Sequence, residues 1–457
     1  MHAATNWISS LPQRYGRRTL VLLGLIAVLG LGLRAYAVVH PVANPADDSH
    51  AYFGLAKAIY EEGSFGSPTF RDSSDWSPGA PWLYAAAFAV TGGAREGTAR
   101  IVEALLGVAT ILVAFALTEQ LGRAFAGVTT SARQAGITRH AGLLTAFAVA
   151  VYPPFIHSTG ELMSEPPAML LLPAAVLAWL WAGERQSLAR WLVPGVLFGA
   201  LAMFRPEYLL VGGAFVVLTA VRVALARDWK RALATAAVFL AALVVLILPW
   251  TVRNYVVLER TVPISTGGGK ALYVGTFLPA DGEYQRVKAI LYKRYDGISL
   301  PPQSEALNKV DPTPLFDKVA ARYPDLPRDS ALGKIGKQNF STYFGEDPLA
   351  YLGMTARKVG RMWSSGVGTA MSSDVGRAIQ ILLVALGLAG FVLLGLRRRW
   401  WELVSLATPI VLVTAVGAIS LAAPRRNEVL MTLVFPLAAL ALSSAFAAIS
   451  SGREWSR

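Results

Sequence analysis

Asp47 and Asp48 stand side by side a few residues after the first long apolar run of the chain, Thr19 to Val39. Adjacent carboxylates at the mouth of a membrane helix need water, a cation or a substrate. One chemistry open to them is general-base work; the plain alternative is a pair of solvated loop acids. Further charges recur at the ends of later apolar runs. They are Glu161 and Glu165 in YPPFIHSTGELMSEPP, Arg205 in Arg205-Pro206-Glu207, Arg253-Asn254, Lys270 after three glycines, and Arg425-Arg426. Arginine's fork suits two phosphate oxygens, although any single arginine at a helix end can simply snorkel to the headgroups. Glu165 also suits the start of a helix, where the dipole favours an acid. His50 and His157 lie near these acids but far apart in sequence and without HxxxH spacing, so no metal and no other cofactor is expected.

The elements that position these groups are membrane helices. Of 457 residues, 54% are hydrophobic and 16% charged, with a mean hydropathy of +0.46, too apolar for a soluble globular chain. The net charge of +13 lies in short basic clusters between apolar runs, which report topology and headgroup contact rather than nucleic-acid binding. Absence of cysteine removes disulfides, thiolate nucleophiles and cysteine metal sites. The first run has no small-residue cleavage site after it and reads as an uncleaved span.

Apolar runs fall at about 19–39, 100–121, 140–156, 165–182, 189–204, 205–222, 231–250, 376–396, 401–421 and 428–449. Arginines before the first run leave the N-terminus in the cytoplasm. Placing the later basic clusters inside as well requires that Gly79 to Val90 does not cross. That segment then lies on the outer surface, with Trp82 and Tyr84 at headgroup level, beside a second surface helix in 49–62. The expectation is an all-α polytopic protein of ten spans with both termini inside: an N-terminal transmembrane module 1–250 holding the site loop 40–99, an outer segment 251–375, and C-terminal spans 376–457. TVPIS and ALYVGT flank Thr266 to Lys270 and read as short strands, so the outer segment is expected to be mixed α/β. The glycines leave that loop free to approach a ligand, but the spacing is not that of a nucleotide P-loop.

Several of these stretches occur together in a known order. The first outer loop DDSHAYFGLAKAIYEEGSF is followed by SPGAPWLY, YPPFIHSTGELMSEPP, GALAMFRPEYLL, PWTVRNY, VPISTGGGKALYVG and a late APRRNEVL. In this order the chain resembles membrane-embedded glycosyltransferases of the GT-C type, the group of the bacterial lipid A aminoarabinose transferases and the protein O-mannosyltransferases. The likeness runs to about Gly275 and touches the end of the chain; residues 280–345 have no counterpart. It implies an inverting transfer of sugar from a polyprenyl-phosphate donor to a glycan, lipid or protein acceptor, on the outer face of a bacterial cytoplasmic membrane. It further implies that Asp48 is the catalytic Asp of the first loop. Ser49 stands where relatives often carry Glu, which leaves a share of the role open to Asp47.

Under this reading Asp48 is the base, and Leu55, Ile59 and Trp82 around it are expected to exclude water and raise its proton affinity. Arg205, Arg253, Lys270, Arg425 and Arg426 are candidates to hold the phosphate, Glu161 and Glu165 are candidates either to orient the acceptor or to hold an arginine in place, and Asn254 is a candidate substrate-binding residue. A transporter or flippase of lipid-linked sugars has the same composition, but such folds usually show repeated halves and mid-membrane ionisable groups.

Overall fold

The computed structural model describes residues 16–42, 47–66, 73–126, 132–184, 187–225 and 228–454. Among them every regular element is helical. The first half holds α1 (Arg17–Val39), α2 (Asp47–Glu62), α3 (Gly79–Thr91), α4 (Glu96–Ala126), α5 (Ala132–Val151), α6 (Pro153–Gly160), α7 (Glu165–Ala182), α8 (Leu192–Phe204), α9 (Tyr208–Ala224) and α10 (Trp229–Leu258). The outer segment contributes α11 (Gly268–Thr276), α12 (Tyr284–Asp296), α13 (Glu305–Asn308), α14 (Thr313–Ala320), α15 (Arg328–Glu346), α16 (Pro348–Ser364) and α17 (Thr369–Ser372). Three long helices follow: α18 (Asp374–Leu396), α19 (Trp400–Ile419) and α20 (Arg425–Glu454).

Among the described residues seven helices are long and apolar enough to cross a membrane, and eight if the bent pair α5–α6 is one span. The ten spans expected from the sequence are therefore not all met by length: the helices over 188–204 and 208–224 are shorter. The first span is also not free of charge, because Arg34 lies within it and is buried. Close helix approach rests on small residues, as is usual where lipid gives no hydrophobic drive for association. A Cβ on Gly195 of α8 would come within 2.5 Å of the Phe239 carbonyl oxygen of α10, and one on Gly390 of α18 within 2.4 Å of that of Leu437 in α20. Trp179, Phe198, Phe215, Phe239 and Phe435 fill the space between the spans.

α3 has 13 residues, about 20 Å at the usual rise and too short to cross. Trp82 is exposed on it as expected, whereas Tyr84 is fully buried, with its hydroxyl in hydrogen-bonding reach of both Glu103 and the Met163 carbonyl. It turns inward because two acceptors wait there.

The outer segment is a helical unit around Tyr273, Val274, Leu291, Phe316, Leu332 and Ile335, and the expected strands are absent from it. Residues 261–265 form no ladder, and ALYVGT belongs to α11, which begins after Gly267 at φ 94°. An apolar run this short does not distinguish strand from helix, and packing decides. Gly336 of α15 sits so close that a Cβ would lie 2.9 Å from the Tyr273 amide, and Tyr273 and Val274 are buried. The segment is tied to the spans by Lys358 of α16. Its Nζ donates to the carbonyls of Gly275, Ala418 and Ser420 at 2.7, 2.9 and 3.0 Å.

Candidate active site

Three helix N-termini converge at one end of the bundle. Asp48 is in the first turn of α2, Glu165 opens α7 ahead of Pro166 and Pro167, and Arg425 opens α20. The dipoles favour the two acids and disfavour the arginine, which is held there by those acids. Arg425 Nη1 and Nη2 each donate to Asp48 Oδ2 at 2.9 Å, and its Nε donates to Glu165 Oε1 at 2.9 Å. Arg205 continues the series from the α8–α9 break. Its Nη1 lies 2.6 Å from Glu165 Oε1, and its Nε and Nη2 donate to Glu207 Oε1 at 3.1 and 3.0 Å. Arg426 Nη1 follows at 3.9 Å from Glu207. The result is a ladder of alternating sign, with three carboxylates against three guanidinium groups.

The ladder is closed at its centre and open at one end. Glu165 is 1% exposed, whereas the side chains of Asp48 and Arg425 keep 37% and 32%. Trp76 Nε1 donates to the other Asp48 oxygen, Oδ1, at 3.3 Å. Lys270 adds a positive charge from above. Burial pushes the Asp48 carboxyl up. The Arg425 charge, then Lys270, and hydrogen bonds from Arg425 and Trp76 outweigh it, so Asp48 is held below the usual carboxylate range. The sequence expectation of a raised proton affinity is corrected. Leu55 is spent in a cluster with Phe65 and Trp250, Trp82 faces outward, and a guanidinium fills the space beside the carboxylate.

Lys270 is placed by a latch between the first outer loop and the outer segment. The Thr266 amide donates to the Ser74 carbonyl at 2.7 Å, and Thr266 Oγ1 donates to Asp75 Oδ1 at 2.5 Å. Arg328 pairs with the other oxygen of Asp75, and the Lys270 amide donates to Asp329 Oδ1 at 3.0 Å. The glycines serve this packing, since a Cβ on Gly269 would fall 1.9 Å from the Asp329 carbonyl oxygen.

Of the residues singled out from the sequence, Asp48, Glu165, Arg205, Arg425 and Arg426 share the ladder. Glu161 lies 3.8 Å from His157 Nε2. Asp47 opens α2, and its side chain lies outside the described residues. Arg253 and Asn254 are elsewhere. The Arg253 guanidinium lies 4.9 Å from the Trp250 ring centre and donates to the Phe65 carbonyl at 3.0 Å, with no ion-pair partner among the described residues. Asn254 Nδ2 donates to the carbonyls of Val262 and Ile264 and braces the chain on its way to Lys270. The sequence reading did not assign Glu207, though it lies two residues from Arg205, nor Trp76, which carries no charge to mark it.

At the Glu207 end the ladder meets a groove of about 600 Å³ between α9 and α19. Pro206, Leu210, Gly213, Val217, Leu412 and Val416 line it, and Leu210 and Val217 are exposed. Among the described residues no three His, Asp or Glu side chains gather in a way that would hold a metal ion.

A likeness over nearly the whole chain meets this geometry. Its fold is similar to that of the oligosaccharyltransferase AglB from Archaeoglobus fulgidus. The structure of that protein with an inhibitory peptide and a dolichol-phosphate superposes with a TM-score of 0.54 at 15% identity, over 98% of this chain and 52% of that one. The apo form of the same enzyme gives 0.53 at 16% identity, with the same coverage. The chain thus spans about half the length of these structures. ArnT from Cupriavidus metallidurans bound to undecaprenyl phosphate superposes more loosely, with a TM-score of 0.39 at 14% identity, over 92% of this chain and 77% of that one. No protein-family model and no curated protein sequence matches the chain.

Proposed function

We propose that the chain is a membrane-embedded glycosyltransferase that moves a sugar from a polyprenyl-phosphate donor to an acceptor hydroxyl or amine on the outer face of the membrane. The observation that carries this is the ladder, which joins one half-open carboxylate to buried guanidinium groups at the mouth of an apolar groove. The AglB-like fold supports it.

The acceptor's nucleophilic atom attacks the anomeric carbon from the side opposite the phosphate and gives its proton to Asp48. The anomeric carbon–oxygen bond breaks, and the electron pair leaves with the prenyl phosphate. Direct displacement of this kind inverts the anomeric centre. The phosphate is already a good leaving group, so what the site must supply is a base and fixed cations. Arg425 and Arg205 are those cations, with Lys270 nearby, and Glu165 holds both arginines in place. In the resting state Arg425 spends two N–H groups on Asp48. A donor phosphate that takes those donors releases Asp48 Oδ2 as a free base, so donor binding and base activation are one event.

In this reading the prenyl chain lies in the groove between α9 and α19. Nothing lies within 4 Å of a Cβ placed on Gly213, so a large side chain there fits the fold while filling the groove. Gly213→Trp is expected to raise KM about tenfold for a long-chain donor, through lost burial of roughly two methylenes, and to leave a two-isoprene donor unchanged. Equal KM shifts for both donors would remove the chain from this groove.

The proposed topology has ten spans, with the two shorter helices α8 and α9 crossing, α3 on the outer surface, and both termini and the basic clusters inside. A cysteine replacing Arg95 should then react with an impermeant reagent from outside, and one replacing Arg123 only from inside. Labelling of position 123 from outside contradicts it.

The function itself is tested by incubating the purified chain with a defined prenyl-phosphate sugar and a panel of glycan, lipid and peptide acceptors. Transfer with release of prenyl phosphate is expected. Lipid-linked sugar carried across the bilayer without release would make the protein a flippase.

A further inference from the structure

Arg34 is 1% exposed, lies inside the first span, and forms no ion pair among the described residues. A buried intramembrane cation calls for an account of what it meets. It meets backbone. Nη2 donates to the Val149 carbonyl at 3.1 Å, and Nη1 donates to the Ala150 carbonyl at 3.2 Å and to Gly30 of its own helix at 3.1 Å.

The identity of those two carbonyls is decisive. In a helix the carbonyl of residue i accepts from the amide of residue i+4. For Val149 and Ala150 those residues are Pro153 and Pro154, which have no N–H. Two carbonyls are thus orphaned in a low-dielectric layer where water cannot serve them. One guanidinium, with its planar fork, replaces both missing donors. The neighbouring helix makes room: a Cβ on Gly107 of α4 would fall 2.1 Å from Arg34 Nε.

At this point α5 ends and α6 turns away by 42°. Over the eight residues of α6 that angle moves its far end about 8 Å from where a straight helix would put it. The displaced end is tied to the site at each step. Ser158 Oγ donates to Glu428 Oε1 at 2.9 Å, the Gly160 carbonyl accepts from Arg100 Nε at 3.2 Å, and the Leu162 amide donates to Ser49 Oγ at 3.1 Å, next to Asp48. Glu165 follows.

We propose that Arg34 is a positioning residue. It supplies the two hydrogen-bond donors that Pro153 and Pro154 withhold, and so fixes the break in the third span that brings Glu165 to the ladder. The consequence for activity rests on the glycosyltransferase reading; the geometry does not.

The test reads geometry directly. The chain has no cysteine, and a Cβ on Gly160 lies 3.5 Å from Val42 Cγ2, so Val42→Cys with Gly160→Cys should cross-link on oxidation in the full-length protein. In that background Arg34→Met should cut the cross-link yield by more than about tenfold, because at least one charge-assisted hydrogen bond is lost without replacement. Adding Pro153→Ala and Pro154→Ala returns both amides. Thermal stability should recover to that of the parent while the cross-link stays absent, since the helix now runs on straight. The triple variant also keeps the test alive if Arg34→Met alone fails to fold. Full cross-linking in the triple variant at the parent's melting temperature would overturn the proposal. A parent that cross-links as expected but transfers no sugar would refute the catalytic reading and leave this one standing.

Discussion

Asp48→Asn is expected to lower turnover by about 10²- to 10⁴-fold, the range that a positioned general base contributes, with donor binding changed little. Asparagine keeps the size and one oxygen for Arg425 but cannot take the acceptor's proton. Loss of the Asp48 charge releases Arg425 toward the phosphate, so donor affinity should hold or improve slightly. That split between turnover and binding separates a base from a mere anchor for arginine. Asp47→Asn should be milder, because neighbours on a helix do not share a face. The measurement is single-turnover transfer beside equilibrium binding of the same prenyl-phosphate sugar. Near-normal turnover in Asp48→Asn removes the assignment, and a dead Asp47→Asn beside it moves the base one residue upstream.

Arg425→Lys is expected to cost about 10- to 100-fold in kcat/KM, the equivalent of one charge-assisted hydrogen bond to an ionised partner. Lysine keeps the charge but cannot donate at once to Asp48 and Glu165. The same pair sets the pH profile. In the free protein Asp48 is held below the ordinary aspartate value by Arg425, despite burial, so it is ionised throughout the neutral range. The acid limb of kcat/KM, which reports the free protein, should therefore fall below about pH 4. A donor phosphate that draws Arg425 away removes part of that stabilisation, so the acid limb of kcat should lie at higher pH. The donor is a phosphodiester that stays singly charged over this range and adds no limb of its own. The sign for folding agrees: a depressed carboxylate adds stability above its unfolded value and loses it as pH falls through the folded one. Coincident limbs would mean that the phosphate does not compete with Asp48 for Arg425.

Five of the six members of the ladder, all but Glu207, are legible in the sequence because charge at the end of an apolar run is costly and stands out. Asp48, Glu165, Arg205 and Arg425 all carry that mark. Their pairing was not legible. Asp48 and Arg425 are 377 residues apart, and only the packing of α2 against the bundle brings them together. The acidity of Asp48 runs opposite to the expectation for the same reason: Leu55, Ile59 and Trp82 are apolar, but the group beside its carboxylate is the Arg425 guanidinium, remote in sequence. Arg253 looked equivalent to Arg205, yet it turns onto Trp250 and the Phe65 carbonyl, a choice that depends on where the first outer loop ends. The strands expected around Lys270 failed because a six-residue apolar run has no period long enough to read. Arg34 went unremarked inside its apolar run, although the prolines that need it are printed in YPPF.

The central claim is that the ladder serves sugar transfer. The most direct measurement uses the purified chain in liposomes with a prenyl-phosphate sugar labelled at the anomeric carbon, following that carbon by NMR. The account predicts loss of the donor signal, appearance of a product of opposite anomeric configuration, and stoichiometric free prenyl phosphate, all abolished by Asp48→Asn. A product of retained configuration, or an intact donor in the presence of every acceptor offered, would contradict it.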